Sequence, residues 1–96
     1  MRKLYLVTYD VCDDKRLRKV FKTMRGFGDH VQYSVFLCDL ADRERVKMAA
    51  ALEREIHHRE DQVLIVDLGP AEGRGAECIE SLGRAFVPAE RVAVVV

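Results

Sequence analysis

With 96 residues and a mass of 11.0 kDa, the chain has room for one domain and excludes two, and a domain this small keeps much of its surface wet. Its 49% hydrophobic content excludes a disordered chain, and the lack of any Pro, Gly or Ser tract leaves no linker. Sixteen Lys/Arg balance sixteen Asp/Glu, so net charge does not decide for or against nucleic acid, but residues 1–34 hold eight basic against four acidic side chains while residues 35–96 hold eight against twelve.

Residues 3–9 are rich in Tyr, Leu, Val and Thr and nearly continuous in hydrophobicity, which predicts a central strand buried on both faces and ending at Asp10. Asp13 or Asp14 then caps a helix in which Leu17, Val20, Phe21 and Met24 recur at i, i+3, i+4 and i+7, with Gly26 placed to stop it. Over residues 30–40, Val31, Tyr33, Val35 and Leu37 share one parity and Gln32, Ser34, Phe36 and Cys38 the other, so at least one strand lies here. Asp42 caps a second helix whose apolar stripe is Val46, Ala49, Leu52 and Ile56. Residues 63–68 read as a strand, Gly69 and Pro70 as a turn and residues 72–76 as loop. Residues 78–82 fit helix and strand equally, and residues 92–96 end the chain as a strand.

This rhythm predicts an α+β fold, a ferredoxin-like βαββαβ sandwich with two helices over one sheet face and an extra C-terminal strand, as a single domain over residues 1–96. Such an order needs a reversal between Gly28 and Leu40, yet no Gly, Pro or Asn lies within residues 30–40, so a kink or bulge near Ser34 is expected. The wholly apolar residues 92–96 need an edge to pair with, either in their own sheet or in a second copy.

The apolar run over residues 4–7 is too short for the core of a signal peptide, and residues 92–96 fall far below the roughly 20 residues that span a bilayer. Cys12, Cys38 and Cys78 contain no CxxC pair, which signals neither a disulfide framework nor zinc. A cytoplasmic protein without a membrane partner is expected. No Gly-rich phosphate loop, GxSxG elbow or HExxH motif is present, so nucleotide-dependent and standard hydrolase classes drop out.

Three sets of residues carry chemistry. From Lys15 to Arg25 six basic residues occur with no acid. Lys15, Arg18, Lys19, Lys22 and Arg25 lie opposite the apolar stripe, with Arg16 on its flank. This is either a solvated face or a surface for phosphates. Asp10, at the carboxyl end of a strand, is either a turn residue or a ligand for a hard cation. In the second case a two-fold axis would pair it with its own copy, and the metal would activate water against a phosphodiester. His57, His58, Glu60 and Asp61 cluster only in one dimension and read as a helix end followed by a polar turn. His30 is isolated and expected on the surface, and Cys12 sits among acids, which does not activate a thiol.

Through Leu4-Tyr5-Leu6-Val7-Thr8-Tyr9-Asp10-Val11, and above all through Gly28-Asp29-His30-Val31-Gln32-Tyr33-Ser34-Val35-Phe36, the chain resembles the CRISPR-associated protein 2 family nearly end to end. The resemblance implies a ferredoxin-like homodimer whose last strand, about residues 92–96, packs on the partner's sheet. It implies a role in the spacer-acquisition step of antiviral defence, with binding of double-stranded DNA or single-stranded RNA. It further implies a magnesium- or manganese-dependent endonuclease in which paired Asp10 residues are the catalytic metal ligands. Tyr9 then stands as neighbour to the metal, Arg16, Arg18 and Lys22 as phosphate contacts, and Ser34 and Phe36 as floor of the interface cleft. The resemblance also leaves a non-catalytic adaptor that bridges integrase dimers of the CRISPR-associated protein 1 family, and a toxin-like ribonuclease of similar fold. Two features depart from the family pattern. His30 stands where a basic residue often precedes the Val-Gln pair, so the family's phosphate contact there is either lost or pH-dependent, and residues 72–91 are the least family-like.

Overall fold

The computed structural model describes residues 1–86, so the strand expected over residues 92–96 lies outside the described residues. Strand β1 (Arg2–Asp10) alternates: Tyr5, Val7 and Tyr9 are buried, whereas Leu4, Leu6 and Thr8 are only half-buried. Burial on both faces, expected from its hydrophobic run, therefore holds for one face alone. Helix α1 (Asp14–Arg25) starts where the Asp13 carboxylate accepts the backbone N–H groups of Lys15 and Arg16 at 3.1 and 3.0 Å, and its Val20 and Met24 enter the core.

The reversal falls at Tyr33 and Ser34, between β2 (Asp29–Gln32) and β3 (Val35–Ala41). Among the described residues no non-glycine residue has positive φ, so this hairpin uses none of the left-handed turn residues that mark hairpins in sequence. His30 pairs with Phe36 but Gln32 pairs with Val35, which makes Val31 an extra residue, and this bulge absorbs the mismatch three residues before Ser34. The parity expected over residues 30–40 is broken by the same turn. Gly28, just before β2, has no room for a side chain. A Cβ there would run into the Cys38 sulfur and lie 2.7 Å from the Leu37 carbonyl oxygen.

Helix α2 (Asp42–Glu55) is capped at Ala41 rather than Asp42: the Ala41 N–H donates to the Glu44 carboxylate at 2.8 Å, and Asp42 is the first helical residue. Its core residues are Met48 and Leu52, while Val46, expected on the apolar stripe, is exposed. The Thr23 hydroxyl ties α1 to α2 by donating to Glu55 at 2.7 Å. Strand β4 (Gln62–Pro70) runs through the expected Gly69-Pro70 turn, with Gly69 at φ +101°, and a one-turn helix α3 (Arg74–Glu77) follows. Residues 78–82 are neither helix nor strand.

The sheet has the order β2-β3-β1-β4 and is antiparallel throughout. Both long helices cover one face, where Val7, Phe36 and Cys38 from the sheet meet Val20, Met24 and Met48 with no exposed surface. Each large apolar side chain so buried stabilises the fold by roughly 1.5–3 kcal/mol. The other face carries Leu4, Leu6, Thr8, Val35 and Leu37, with Leu64 and Val66 still 51% and 44% exposed. Near β2 the chain over residues 79–86 passes beside this face, lining a cavity with Leu6, Val31 and Val35. No helix among the described residues is long and apolar enough to cross a membrane.

Candidate nucleic-acid interface

Strand alternation sends two neighbours of β1 in opposite directions. Tyr9 points into the core, its ring stacked on Phe36 with centroids 6.2 Å apart, and burial pushes its phenol above the ordinary value. Asp10 is exposed, opposite Gln62, with the parity of the open sheet face. Among the described residues no group of three His, Cys, Asp or Glu side chains comes together to hold a metal. The donor chemistry of Asp10 nevertheless suits a hard cation, because magnesium takes one or two carboxylates and completes its shell with water and phosphate oxygens. One chain offers one such carboxylate at the end of β1, and a second Asp10 would double it.

A cleft of about 740 Å³ opens between α1 and the Tyr33–Ser34 turn. One wall is a row of cations along α1, namely Arg18, Lys19, Lys22 and Arg25. Arg18, Lys19 and Lys22 form no ion pair among the described residues, and the Arg25 guanidinium lies 5.8 Å from the centre of the Phe21 ring. The floor is aromatic, built from Tyr9, Phe21, His30 and Tyr33. Ser34 lines the side opposite α1, and its carbonyl accepts the Tyr9 N–H at 3.1 Å, so the turn is fastened to β1 one residue before Asp10. Phe36 has no exposed surface. It supports the floor from beneath, against His30 and Phe21, and does not itself line the cleft.

Arg16 turns away from this row. Its Nε donates to Asp61 Oδ2 at 2.7 Å, and its Nη2 donates to Asp61 Oδ1 at 3.1 Å and to Glu60 Oε1 at 3.2 Å. Asp61 is buried and also accepts the backbone N–H groups of His57 at 2.8 Å and Cys12 at 3.1 Å. The guanidinium, against the opposing effect of burial and with help from the two backbone donors, holds the Asp61 carboxyl far below the ordinary carboxylate range. The same bond raises Arg16 further above its already high value. Asp61 thus clasps the loop after β1 to the first turn of α1 and to the connection between α2 and β4. In the sequence Asp61 reads as part of a polar turn and Arg16 as a flank of the basic face, which the family resemblance makes a phosphate contact. The two are 45 positions apart, and no local pattern joins them. His57 shapes that connection rather than binding a metal, its Nδ1 accepting the N–H groups of Arg59 and Glu60, each at 3.2 Å. Cys12 is held with its thiol 3.2 Å from the Glu60 carbonyl, and burial together with Asp61 pushes that thiol up.

The family model for CRISPR associated protein Cas2 matches residues 2–73. Over 92 residues the chain is 50% identical to a Rhodospirillum rubrum protein named CRISPR-associated endoribonuclease Cas2 1, spanning 96% of this chain and 89% of that one. It is 47% identical to the CRISPR-associated endoribonuclease Cas2 of Geobacter sulfurreducens over 96 residues, the whole of both chains. Among solved structures, Streptococcus pyogenes Cas2 at pH 6.5 superposes with a TM-score of 0.68 at 35% identity, covering 83% of this chain and 99% of that one. A hypothetical protein from Thermus thermophilus superposes with a TM-score of 0.79 at 28% identity, covering 93% and 100%. With a matched family model over most of its length, close relatives along all of it and the same α+β fold, the chain belongs to the CRISPR-associated Cas2 family.

Proposed function

We propose that two copies of the chain form a magnesium- or manganese-dependent endonuclease of CRISPR defence, with paired Asp10 residues holding the ion and the α1 cations holding phosphates. The carrying observation is the exposed Asp10 carboxylate at the end of β1, next to a turn that lines a cationic cleft. The names of the relatives as endoribonucleases support RNA as substrate. Leu64 and Val66, left in water on the open face, support a second copy packed there, which would bring two Asp10 residues of that face to one axis. When bound, such an ion would supply Lewis-acid activation of water against a phosphodiester. Asp10 would hold it. Arg18 and Lys22 fix the flanking phosphates, and Tyr9, buried and tied to Ser34, keeps the strand end rigid beneath Asp10. Arg16 acts on the fold through Asp61, its charge already matched by two acids.

A second reading is a non-catalytic adaptor that binds double-stranded DNA and bridges integrases of the CRISPR-associated protein 1 family. It is favoured by the row of Arg18, Lys19, Lys22 and Arg25 along α1, which offers charge to phosphates without calling on a metal. Cleavage and binding of single-stranded RNA and duplex DNA, measured side by side for wild type and Asp10→Ala, separate the two. The endonuclease reading expects cleavage that needs added magnesium and vanishes in Asp10→Ala while binding persists. Wild-type protein that binds duplex as tightly as the variant and cleaves nothing would establish the adaptor instead.

A further inference from the structure

The cleft beside α1 has more in it than a row of cations. Three rings run outward from the core in a near-parallel ladder: Tyr9 on Phe36 at 25° and 6.2 Å, then Phe36 against His30 at 32° and 4.9 Å. Phe21 meets His30 edge-on, at 88° and 5.0 Å. His30 is the outermost rung and the one rung of the ladder that is exposed. Its Nε2 lies 2.7 Å from the Tyr33 carbonyl oxygen, and because a carbonyl only accepts, this nitrogen carries the hydrogen and the ring is pinned. Tyr33 itself, on the hairpin turn and lining the same cleft, leaves 92% of its surface in water.

We propose that this cleft seats one unpaired base of a single strand, stacked on His30 and flanked by Tyr33, with the adjoining phosphates on Arg18, Lys22 and Arg25. The inference rests on the nucleic-acid reading above and specifies what the α1 site takes. A ring floor under a cationic wall matches the two chemistries of one nucleotide, a π face and a phosphate, and aromatic platforms with basic grooves are how single strands are held. Duplex DNA offers the wall its phosphates but keeps its π faces within the stack. A pinned imidazole suits a base platform better than a phosphate contact, since it loses little freedom on binding and cannot swing toward the backbone.

The test uses the full chain and a short single-stranded RNA carrying a fluorescent adenine analogue, free or annealed to its complement. Stacking on the platform quenches the analogue in the single strand. His30→Phe keeps quenching and affinity. His30→Lys, which adds charge and removes the ring, weakens single-strand binding on the order of tenfold and abolishes the quench, as does Tyr33→Ala, while neither variant weakens duplex binding. Tyr33 is exposed on a turn, so its variant reports even where a change at His30 disturbs the core. Single-strand affinity that is equal or higher in His30→Lys and untouched in Tyr33→Ala overturns the base seat and leaves phosphate binding standing. Wild-type protein that binds neither form overturns the nucleic-acid reading along with it.

Discussion

The structure separates arginines that look equivalent in one dimension, and salt dependence reads the difference. Each phosphate neutralised contributes about 0.7 to the slope of log K against log salt for a single strand and about 0.9 for B-form DNA. Arg18 and Lys22 line the cleft without ion pairs among the described residues, so Arg18→Gln with Lys22→Gln should flatten the slope by about 1.4 for single-stranded RNA or about 1.8 for duplex, per copy in contact. Between about 50 and 200 mM salt, the single-strand figure amounts to a roughly sevenfold smaller loss of affinity in the double variant. Arg16→Gln should leave the slope where it is, because that guanidinium is already matched by Asp61 and Glu60. Fluorescence anisotropy titrations at a series of salt concentrations supply the slopes. They are run well below each variant's melting temperature, since removing Arg16 leaves Asp61 buried without its cation. If folded Arg16→Gln flattens the slope as much as Arg18→Gln does, the assignment of Arg16 to the Asp61 clasp is wrong.

The clasp also has a pH signature. Asp61 has a depressed folded-state pKa, so its stabilisation is fully present from neutral pH down to about pH 4 and is lost as acid carries the protein toward the lower folded value. The melting-temperature gap between wild type and Asp61→Asn should therefore be widest near neutrality and narrow in acid; a gap constant across that range would sink the linkage. Gly28→Ala should destabilise the fold by about 1–3 kcal/mol, because the new methyl meets the Cys38 sulfur and the Leu37 backbone, and thermal denaturation reads this directly. Val66→Glu, on the open sheet face, should yield folded monomers by light scattering and lose magnesium-dependent cleavage with Asp10 intact; dimers of undiminished stability would show that the second copy binds elsewhere.

Helix α1 and strand β1 were legible in the chain because their signals are local. Asp13 caps the amides of Lys15 and Arg16, and the spacing from Leu17 to Met24 is the period of a helix with one buried stripe. Asp10 could be placed at a strand end for the same reason. The α2 cap was misplaced by one residue, since the Glu44 side chain satisfies the Ala41 amide from inside the helix. The β2–β3 reversal carried no turn residue because the bulge at Val31 absorbs the mismatch that a glycine or asparagine would otherwise resolve.

Composition, periodicity and two family-like segments were enough to determine an α+β fold with a cationic helix and an acidic strand end, because those properties belong to residues adjacent in the chain. Which arginine faces the cleft, which ring becomes its floor and which sheet face stays open were decided only on folding. Arg16 meets Asp61 across 45 positions, and His30 becomes a platform because Phe36, Phe21 and the Tyr33 carbonyl close around it from β3, α1 and a turn. Contacts of that kind depend on register and packing, and neither is written in any short stretch of sequence.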